Sequence, residues 1–308
     1  EPAGRCRFTH LLVHAAMAHR PTSIARAVIH HRIVTALTAR RAPSMEVAHH
    51  AIEAAAVGDV AVAVDWSCRA SAEATAALAY EDAIAIARRC LALRIDDRSR
   101  AQLSIAIGDA GLRADDSVEA HAAFVDAVAA AEAAGDADLL ARAALGAARG
   151  HRDGSEWMPD PERRALLVRA LERLEASNGD QVTRIEVLGQ MALWTPDTAE
   201  RQALAVRAVA AAESSPDGRA GTAAFAASRI ALWSPADTAR RIDFGRRASS
   251  GAVDRADVHA AAVMRFALLG DLIQSRRWAE LSAERAALAA SPTVRGSRRL
   301  RWQLRLWD

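Results

Sequence analysis

The sequence predicts an all-α protein, a solenoid of helical hairpins with a small helical segment at its N-terminus. Alanine dominates the chain, and Ala, Leu, Arg and Glu are strong helix formers. Apolar residues recur at helical spacing nearly throughout, and no Asn-Gly or Asp-Gly turn separates alternating segments. A ten-residue stretch, ALWTPDTAER at 192–201, returns as ALWSPADTAR at 231–240. Stacked repeats explain such a recurrence better than a single active site does.

Sixteen helices follow from the apolar periodicity. The connections between them are short and contain Gly, Pro, Asp or Ser, so consecutive helices should pack as antiparallel hairpins. The predicted helices are 8–19, 22–40, 44–56, 59–75, 79–93, 97–112, 116–134, 137–149, 160–176, 180–193, 197–213, 219–232, 237–249, 254–270, 277–290 and 296–307.

The first three helices are rich in histidine. His10 and His14 are spaced i,i+4, which could place both imidazoles on one metal ion. His30–His31 and His49–His50 are consecutive pairs, which point to different faces of a helix. No Cys or carboxylate joins them at a recognisable metal spacing, so the sequence favours interhelix packing. A metal-dependent enzyme remains the alternative.

A repeat pattern begins near residue 59. Gly108 lies twelve residues before Ala120, sixteen before Phe124 and nineteen before Ala127. This spacing resembles the tetratricopeptide repeat, which has a glycine in its first helix and Ala, an aromatic residue and Ala in its second. The aromatic residue expected three positions after the glycine is absent, because Gly111 stands there. The four residues should form a core between stacked hairpins.

A second repeat type follows, with tryptophan at the end of a helix. Trp157, Trp194 and Trp233 each precede a proline by two residues. Proline cannot continue the helix, and a nearby aspartate (Asp160, Asp197 or Asp237) can cap the next one. We therefore predict that each indole fills the space between hairpins.

The last helix, 296–307, alternates basic and apolar residues. Its arginines could suggest binding to nucleic acid or a membrane. The preferred interpretation is a helix whose arginines face water and whose tryptophans, Trp302 and Trp307, pack on the preceding hairpin.

The first fifty residues resemble the end of the ATPase module in large bacterial signal-transduction ATPases. These are the LuxR-type (MalT-like) transcriptional regulators and related nucleotide-cyclase fusions. His14 and Ile29 depart from the family pattern, which has Arg and Leu there. The matching residues are Phe8, Thr9, His10, Leu12, Val13, His30, Arg32, Ile33, His49 and His50.

The resemblance implies two parts: residues 1–56 as the helical, winged-helix-like end of an ATPase module, and 57–308 as a tetratricopeptide-like array, expected to be cut at its C-terminus. It implies a sensor scaffold that binds a protein, a peptide or a small-molecule inducer on its concave face. ATP and DNA would be bound only by modules outside these residues, an ATPase upstream and a helix-turn-helix domain. A cyclase fusion is an alternative. The chain contains no lysine and therefore no P-loop.

Composition narrows the function classes further. The net charge of +2 is nearly balanced for this length, which argues against a basic domain that binds the phosphates of a nucleic acid. Three cysteines without a CxxC pair fit a reducing cytoplasm, and no apolar stretch is long enough to cross a membrane. The acidic pairs Asp96–Asp97 and Asp115–Asp116 precede helices and are interpreted as caps. No nucleophile motif occurs, so binding rather than catalysis is expected, without a cofactor in this segment.

Overall fold

The computed structural model describes residues 22–149 and 161–306, and within those ranges the chain is helical without a single strand. The all-α prediction is confirmed. The helices are α1 Ser23–Ala39, α2 Ser44–Ala54, α3 Val60–Ala76, α4 Tyr80–Leu91, α5 Asp97–Arg113, α6 Ser117–Ala134, α7 Ala137–Arg149, α8 Pro161–Ser177, α9 Gln181–Trp194, α10 Thr198–Glu213, α11 Ala220–Ala223, α12 Phe225–Ala231, α13 Thr238–Asp254, α14 Val258–Gln274, α15 Trp278–Ala290, α16 Pro292–Gly296 and α17 Arg298–Arg305.

Aspartate side chains begin many of these helices. Each accepts a hydrogen bond from a backbone N–H of the first turn, which would otherwise lack a partner. Asp96 and Asp116, two of the residues in the acidic pairs, act in this way on Ser99 and Glu119. The aspartates that do so in the described part of the chain are Asp59, Asp96, Asp116, Asp136, Asp180, Asp197 and Asp257.

The hairpins stack into two layers. Each helix packs on the one that follows it, and α3 contacts α5, α5 contacts α7, and α7 contacts α9. These four helices therefore form one continuous row, with their hairpin partners in the other layer. This is the arrangement of a tetratricopeptide-like solenoid, in which every hairpin buries its apolar face on its neighbours. None of the helices in the described ranges is long and apolar enough to cross a bilayer.

The core of the array is centred on Phe124 in α6. Its ring lies against Gly108 of α5 and Gly146 of α7, where an added Cβ would come within 2.6 Å and 2.0 Å of ring carbons. Ala120 and Ala127 are fully buried in the same cluster. Gly111 is also explained, because a Cβ there would lie 3.2 Å from that of Ala120. The two helices approach too closely at this point for an aromatic side chain.

The tryptophan repeats do not behave alike. Trp194 ends α9, is only 5% exposed and carries the Arg163 guanidinium 4.9 Å from its ring centroid. Trp233 is 76% exposed, and the preceding Leu232 is the buried residue instead. The prediction that the indole fills the space between hairpins is therefore wrong for Trp233. Trp157 lies outside the described residues.

The difference has a local cause in the second copy. One extra residue, Ala236, separates Pro235 from Asp237, whereas Pro196 is followed directly by Asp197. Asp197 accepts a hydrogen bond from the Glu200 N–H at 2.7 Å, but Asp237 caps nothing with its side chain and lies in a 3₁₀ turn. The predicted helix 219–232 is also split, into α11 and α12. The chain leaves α12 before the tryptophan, which then faces solvent.

A buried ionic network holds the hairpins that follow. Asp271 of α14 is 1% exposed and accepts hydrogen bonds from Arg241 Nε at 2.7 Å and from both terminal nitrogens of Arg229. Arg241, 3% exposed, also donates to the Leu232 carbonyl and, at 2.6 Å, to Gln274 Oε1. The network thereby joins α12, α13 and α14.

The last helix packs differently from the prediction. Leu300 is buried and Leu304 packs on the same small core, but Trp302 is 60% exposed. The expectation that the tryptophans cover the preceding hairpin is wrong for Trp302, and Trp307 lies outside the described residues. The helix is instead anchored by leucines, four residues apart on one face.

Candidate binding cavity

A cavity of about 400 Å³ lies against the row of α3, α5 and α7. Its opposite wall is the turn between α13 and α14, residues 255–257, together with the start of α14. Small apolar side chains such as Ala72 and Ala106 alternate with charged ones along the helices. This volume falls in the range of sites for small molecules and short peptide segments.

Contacts between distant parts of the chain close the array beside this cavity. Arg113, at the end of α5, donates to both carboxylate oxygens of Asp257, at 3.2 and 3.4 Å. Asp115 accepts hydrogen bonds from Ser297 Oγ at 2.8 Å and from the Arg299 N–H at 3.2 Å. We call these two sets of contacts the closure contacts. They join the hairpin of α5 and α6 to α14 and α17, and the Arg113–Asp257 pair forms part of the wall of the cavity, which is half open to solvent.

Asp115, predicted as a cap, has a different role from Asp116 beside it. Its backbone lies in the left-handed region with φ +62°, a conformation that aspartate tolerates better than most residues. The carboxylate is thereby directed to the N-terminus of α17 rather than to its own helix. Of this acidic pair, one residue caps α6 and the other makes a closure contact.

Several polar groups in the cavity are already engaged. Arg113 and Asp257 bind each other, and Asp257 also accepts the Ala260 N–H at 3.0 Å. Arg255 donates to the Gly218 carbonyl at 3.1 Å and to Thr222 Oγ1 at 2.5 Å. These groups hold the wall in place and are not free for a ligand.

Burial and charge shift the pKa values of three groups in the cavity. Burial raises the pKa of Asp109, against the opposing charges of Arg149 and Arg142. Burial and the charge of Arg113 lower the pKa of His259. Burial alone would raise the pKa of Asp257. The charge of Arg113 and the hydrogen bond from the Ala260 N–H outweigh that effect and lower this pKa below its usual range. The surroundings thus favour the neutral forms of Asp109 and His259 and the ionised form of Asp257.

Thiol chemistry is not favoured there. Cys68 lines the cavity, but burial and then Cys90 raise its pKa to about 11, so the nucleophilic thiolate is scarce at neutral pH. Burial also raises the pKa of Cys90. Cys68 contributes surface rather than reactivity.

The histidines meet at the interface of α1 and α2. His30 Nδ1 and His50 Nδ1 are 2.8 Å apart, and the ring centroids of His49 and His50 are 5.2 Å apart. Across residues 22–149 and 161–306, no three His, Cys, Asp or Glu side chains are grouped to bind a metal ion. His10 and His14, the metal candidates of the sequence, lie outside the described residues.

Acidification is expected to weaken the packing of α1 on α2. Burial, followed by the charges of His30 and His49, lowers the pKa of His50. Below the unfolded pKa of about 6.5 the unfolded chain then binds more protons than the folded one. The stabilisation is complete above that pH and is lost as the pH falls through it towards the folded value. In addition, two protonated imidazoles cannot share the His30–His50 hydrogen bond.

Urea unfolding at pH 7.5 and 5.5 measures this effect. The loss of stability on acidification should shrink in His50→Gln and persist in the neighbouring His31→Gln, whose side chain is exposed. An identical pH dependence in both variants would contradict the assignment to His50.

The cavity groups were not among the residues singled out from the sequence. Gly108, Ala120, Phe124 and Ala127 form the repeat core behind the cavity wall, not the cavity itself. One signal was present: Asp109 interrupts an apolar run of α5 in which most neighbours are buried. The groups on the opposite wall could not be found in this way, because only the closure contacts bring them near.

The fold is similar to that of solved helical-repeat structures. The apo form of RapI superposes with a TM-score of 0.56 at 13% identity, over 89% of this chain and 78% of RapI. A Rap protein complexed with competence and sporulation factor gives a TM-score of 0.52 at 8% identity, over 95% of this chain and 91% of that protein. At such identities the likeness shows a shared fold. No protein-family model and no curated protein matches the sequence.

Proposed function

We propose that this chain is a regulatory scaffold that binds an effector, a peptide or a small molecule, in the cavity beside α3, α5 and α7. The observation that carries the proposal is a half-open cavity beside the closure contacts, whose wall contains charged groups that no described residue hydrogen-bonds. The similar Rap protein is complexed with competence and sporulation factor, which supports a binding role for this architecture.

The mechanism that follows is a population shift. A ligand that contacts both walls binds the closed array more tightly than an array whose closure contacts are broken. It therefore shifts the equilibrium towards the closed form by its difference in affinity for the two forms. The closed form would present a different surface to an attached module than the open form does.

The attached module is proposed from the sequence alone. The residues that resemble the end of an ATPase module include His30, Arg32 and Ile33 of α1 and His49 and His50 of α2. Since α2 packs directly on α3, a change in the array could reach such a module through one helical contact. We propose the segment as the sensor of a cytoplasmic LuxR-type ATPase regulator. The coding sequence before residue 1 tests this, because a P-loop is expected there.

A metal-dependent enzyme is less well supported. Its candidate ligands, His10 and His14, are not among the described residues, and the histidines that are described contact one another and Arg89. The cavity offers binding groups without an activated nucleophile, since its thiol is protonated. Recognition is the activity that these groups favour.

Filling the cavity should abolish effector binding. Ala72 lies in α3 with its side chain exposed to the cavity, so Ala72→Trp should fill the space without entering the core. The matched control is Ala203→Trp, at an exposed position of α10 outside the cavity. Thermal unfolding would be followed for both variants and the unchanged chain with a library of blocked tripeptides, amino acids and nucleotides.

At least one library member should raise the Tm of the unchanged chain and of Ala203→Trp but not that of Ala72→Trp. At a ligand concentration one hundred times its Kd the stabilisation is about 2.7 kcal/mol, which is easily measured. The proposal fails if no member raises the Tm, or if Ala72→Trp responds as strongly as the control.

A further inference from the structure

The cavity contains one arginine to which no described residue is bound. Among its guanidinium groups, Arg113 binds Asp257 and Arg255 binds the loop before α11. Arg142 of α7 makes no ion pair or hydrogen bond with any residue of 22–149 or 161–306. Its charge acts on both Asp109 and Cys68, which places it between α5 and α3.

Two carboxylates in the cavity are also unengaged. Asp109 is partly buried, yet no described residue donates a hydrogen bond to it. Asp65 lies exposed in α3 on the same wall and likewise accepts no hydrogen bond within the described ranges. A carboxylate removed from water without a hydrogen bond is costly, and the charges of Arg149, Arg142 and Arg113 offset only part of that cost at Asp109, so a cationic ligand group beside it would relieve the remainder.

An independent observation points to a ligand at the same place. Ser71 is only 1% exposed and lines the cavity, but its hydroxyl has no hydrogen-bond partner in the described part of the chain. His259 Nδ1, on the opposite wall, is buried and unpartnered in the same sense. Since the large majority of buried side-chain polar atoms in folded proteins are hydrogen-bonded, two exceptions that line one cavity point to a ligand that supplies their partners.

We propose that the cavity binds a short peptide segment carrying a basic side chain, with its cationic group at Asp109 and Asp65 and a peptide oxygen at Arg142. Ser71 and His259 then hydrogen-bond the peptide backbone. This inference specifies the effector and so rests on the proposed function.

The unengaged groups favour a basic peptide over its main competitors. The lining as a whole holds three aspartates and three arginines, but of its charged groups without a hydrogen bond from the described residues two are carboxylates and one is a guanidinium, so a polyanion would leave both carboxylates without a partner. A purely apolar ligand would leave all five unengaged polar groups without partners, at a cost for each buried one. A basic peptide satisfies the acids with its side chain and the arginine with a carbonyl oxygen.

The test uses three blocked tripeptides, N-acetylated and C-amidated, that differ only in the middle residue: Ala-Arg-Ala, Ala-Gln-Ala and Ala-Glu-Ala. Calorimetry gives their dissociation constants. The ring resonances of ¹³C-labelled histidine locate them, with the His259 signal assigned through His259→Gln. We expect the arginine peptide to shift the His259 signal and to bind at least tenfold more tightly than the glutamine peptide.

Charge at Asp109 should account for that preference. In Asp109→Asn the affinity for the arginine peptide should fall at least tenfold, towards that of the glutamine peptide, which should itself change little. The matched control is Asp126→Asn, an exposed aspartate of α6 outside the cavity, which should leave all three constants unchanged. If Asp109→Asn does not fold, as judged by circular dichroism, Asp65→Asn at the exposed position tests the same preference.

Three results would overturn the inference: equal affinities for the three peptides, tighter binding of the glutamate peptide, or no shift of the His259 signal by any of them. None of these decides the proposed function. A different library member that stabilises the unchanged chain but not Ala72→Trp would sustain the function and discard only the basic peptide.

Discussion

Replacing Asp271 with alanine is expected to lower the free energy of unfolding by about 3–5 kcal/mol. The carboxylate is fully buried in α14 and is the anion for both Arg241 and Arg229. Its removal leaves the Arg241 charge inside the protein with only neutral acceptors, the Leu232 carbonyl, Thr238 and Gln274. An uncompensated buried charge costs far more than the ion pair contributes.

Urea unfolding followed by far-UV circular dichroism measures this loss. Asp243→Ala is the matched control, because Asp243 also pairs with an arginine, Arg247, but both side chains are more than half exposed. Such surface pairs contribute about 0–1 kcal/mol. A similarly small loss of stability in both variants would show that the removal of Asp271 does not leave the Arg241 charge uncompensated.

Truncation of Phe124 to alanine is expected to cost about 3–5 kcal/mol. The ring fills a slot formed by two glycines, Gly108 and Gly146, from successive first helices of the array. Neither glycine has a side chain that could move into the vacated space, so the cavity would collapse poorly. Val125→Ala, at the next position of α6 with half of its side chain exposed, is the control and should change stability by less than about 1 kcal/mol.

A double-mutant cycle with Gly146→Ala tests the slot directly. Alone, the added methyl group overlaps the ring and should cost about 1–3 kcal/mol. Combined with Phe124→Ala it enters the empty space, so the double variant should be more stable than the sum of the two losses predicts. Strict additivity would show that Gly146 and Phe124 do not share one slot.

The sequence predicted those parts of the fold that depend on neighbours along the chain. Helix existence, the aspartate caps and the Gly108–Phe124 spacing all arise within one hairpin. Gly146 was not recognised, although it lies 38 residues after Gly108 and provides the second wall of the phenylalanine slot. The burial of Trp233 was predicted wrongly because one extra residue, Ala236, changes the turn. The similarity of residues 231–240 to 192–201 suggested that both tryptophans would pack in the same way.

The cavity could not be predicted from the sequence, because its two walls come from distant parts of the chain. Asp109 and Arg142 belong to one row of helices, and each could have been noted as a charge among alanines. His259 reaches them only because the array curves until the start of α14 lies beside the end of α5. That curvature is the sum of small rotations between successive hairpins, which side-chain packing sets and no local pattern records.

The contact between Asp115 and Ser297 spans 182 positions of the chain, and it limits how this array can evolve. Open solenoids lengthen or shorten by duplicating or deleting whole units, since each unit meets only its neighbours. Here a duplicated hairpin between α6 and α17 would carry Ser297 one unit away from Asp115. The contact therefore fixes the number of hairpins between Asp115 and Ser297. Natural variants of this protein should differ by substitutions within hairpins rather than by the number of hairpins.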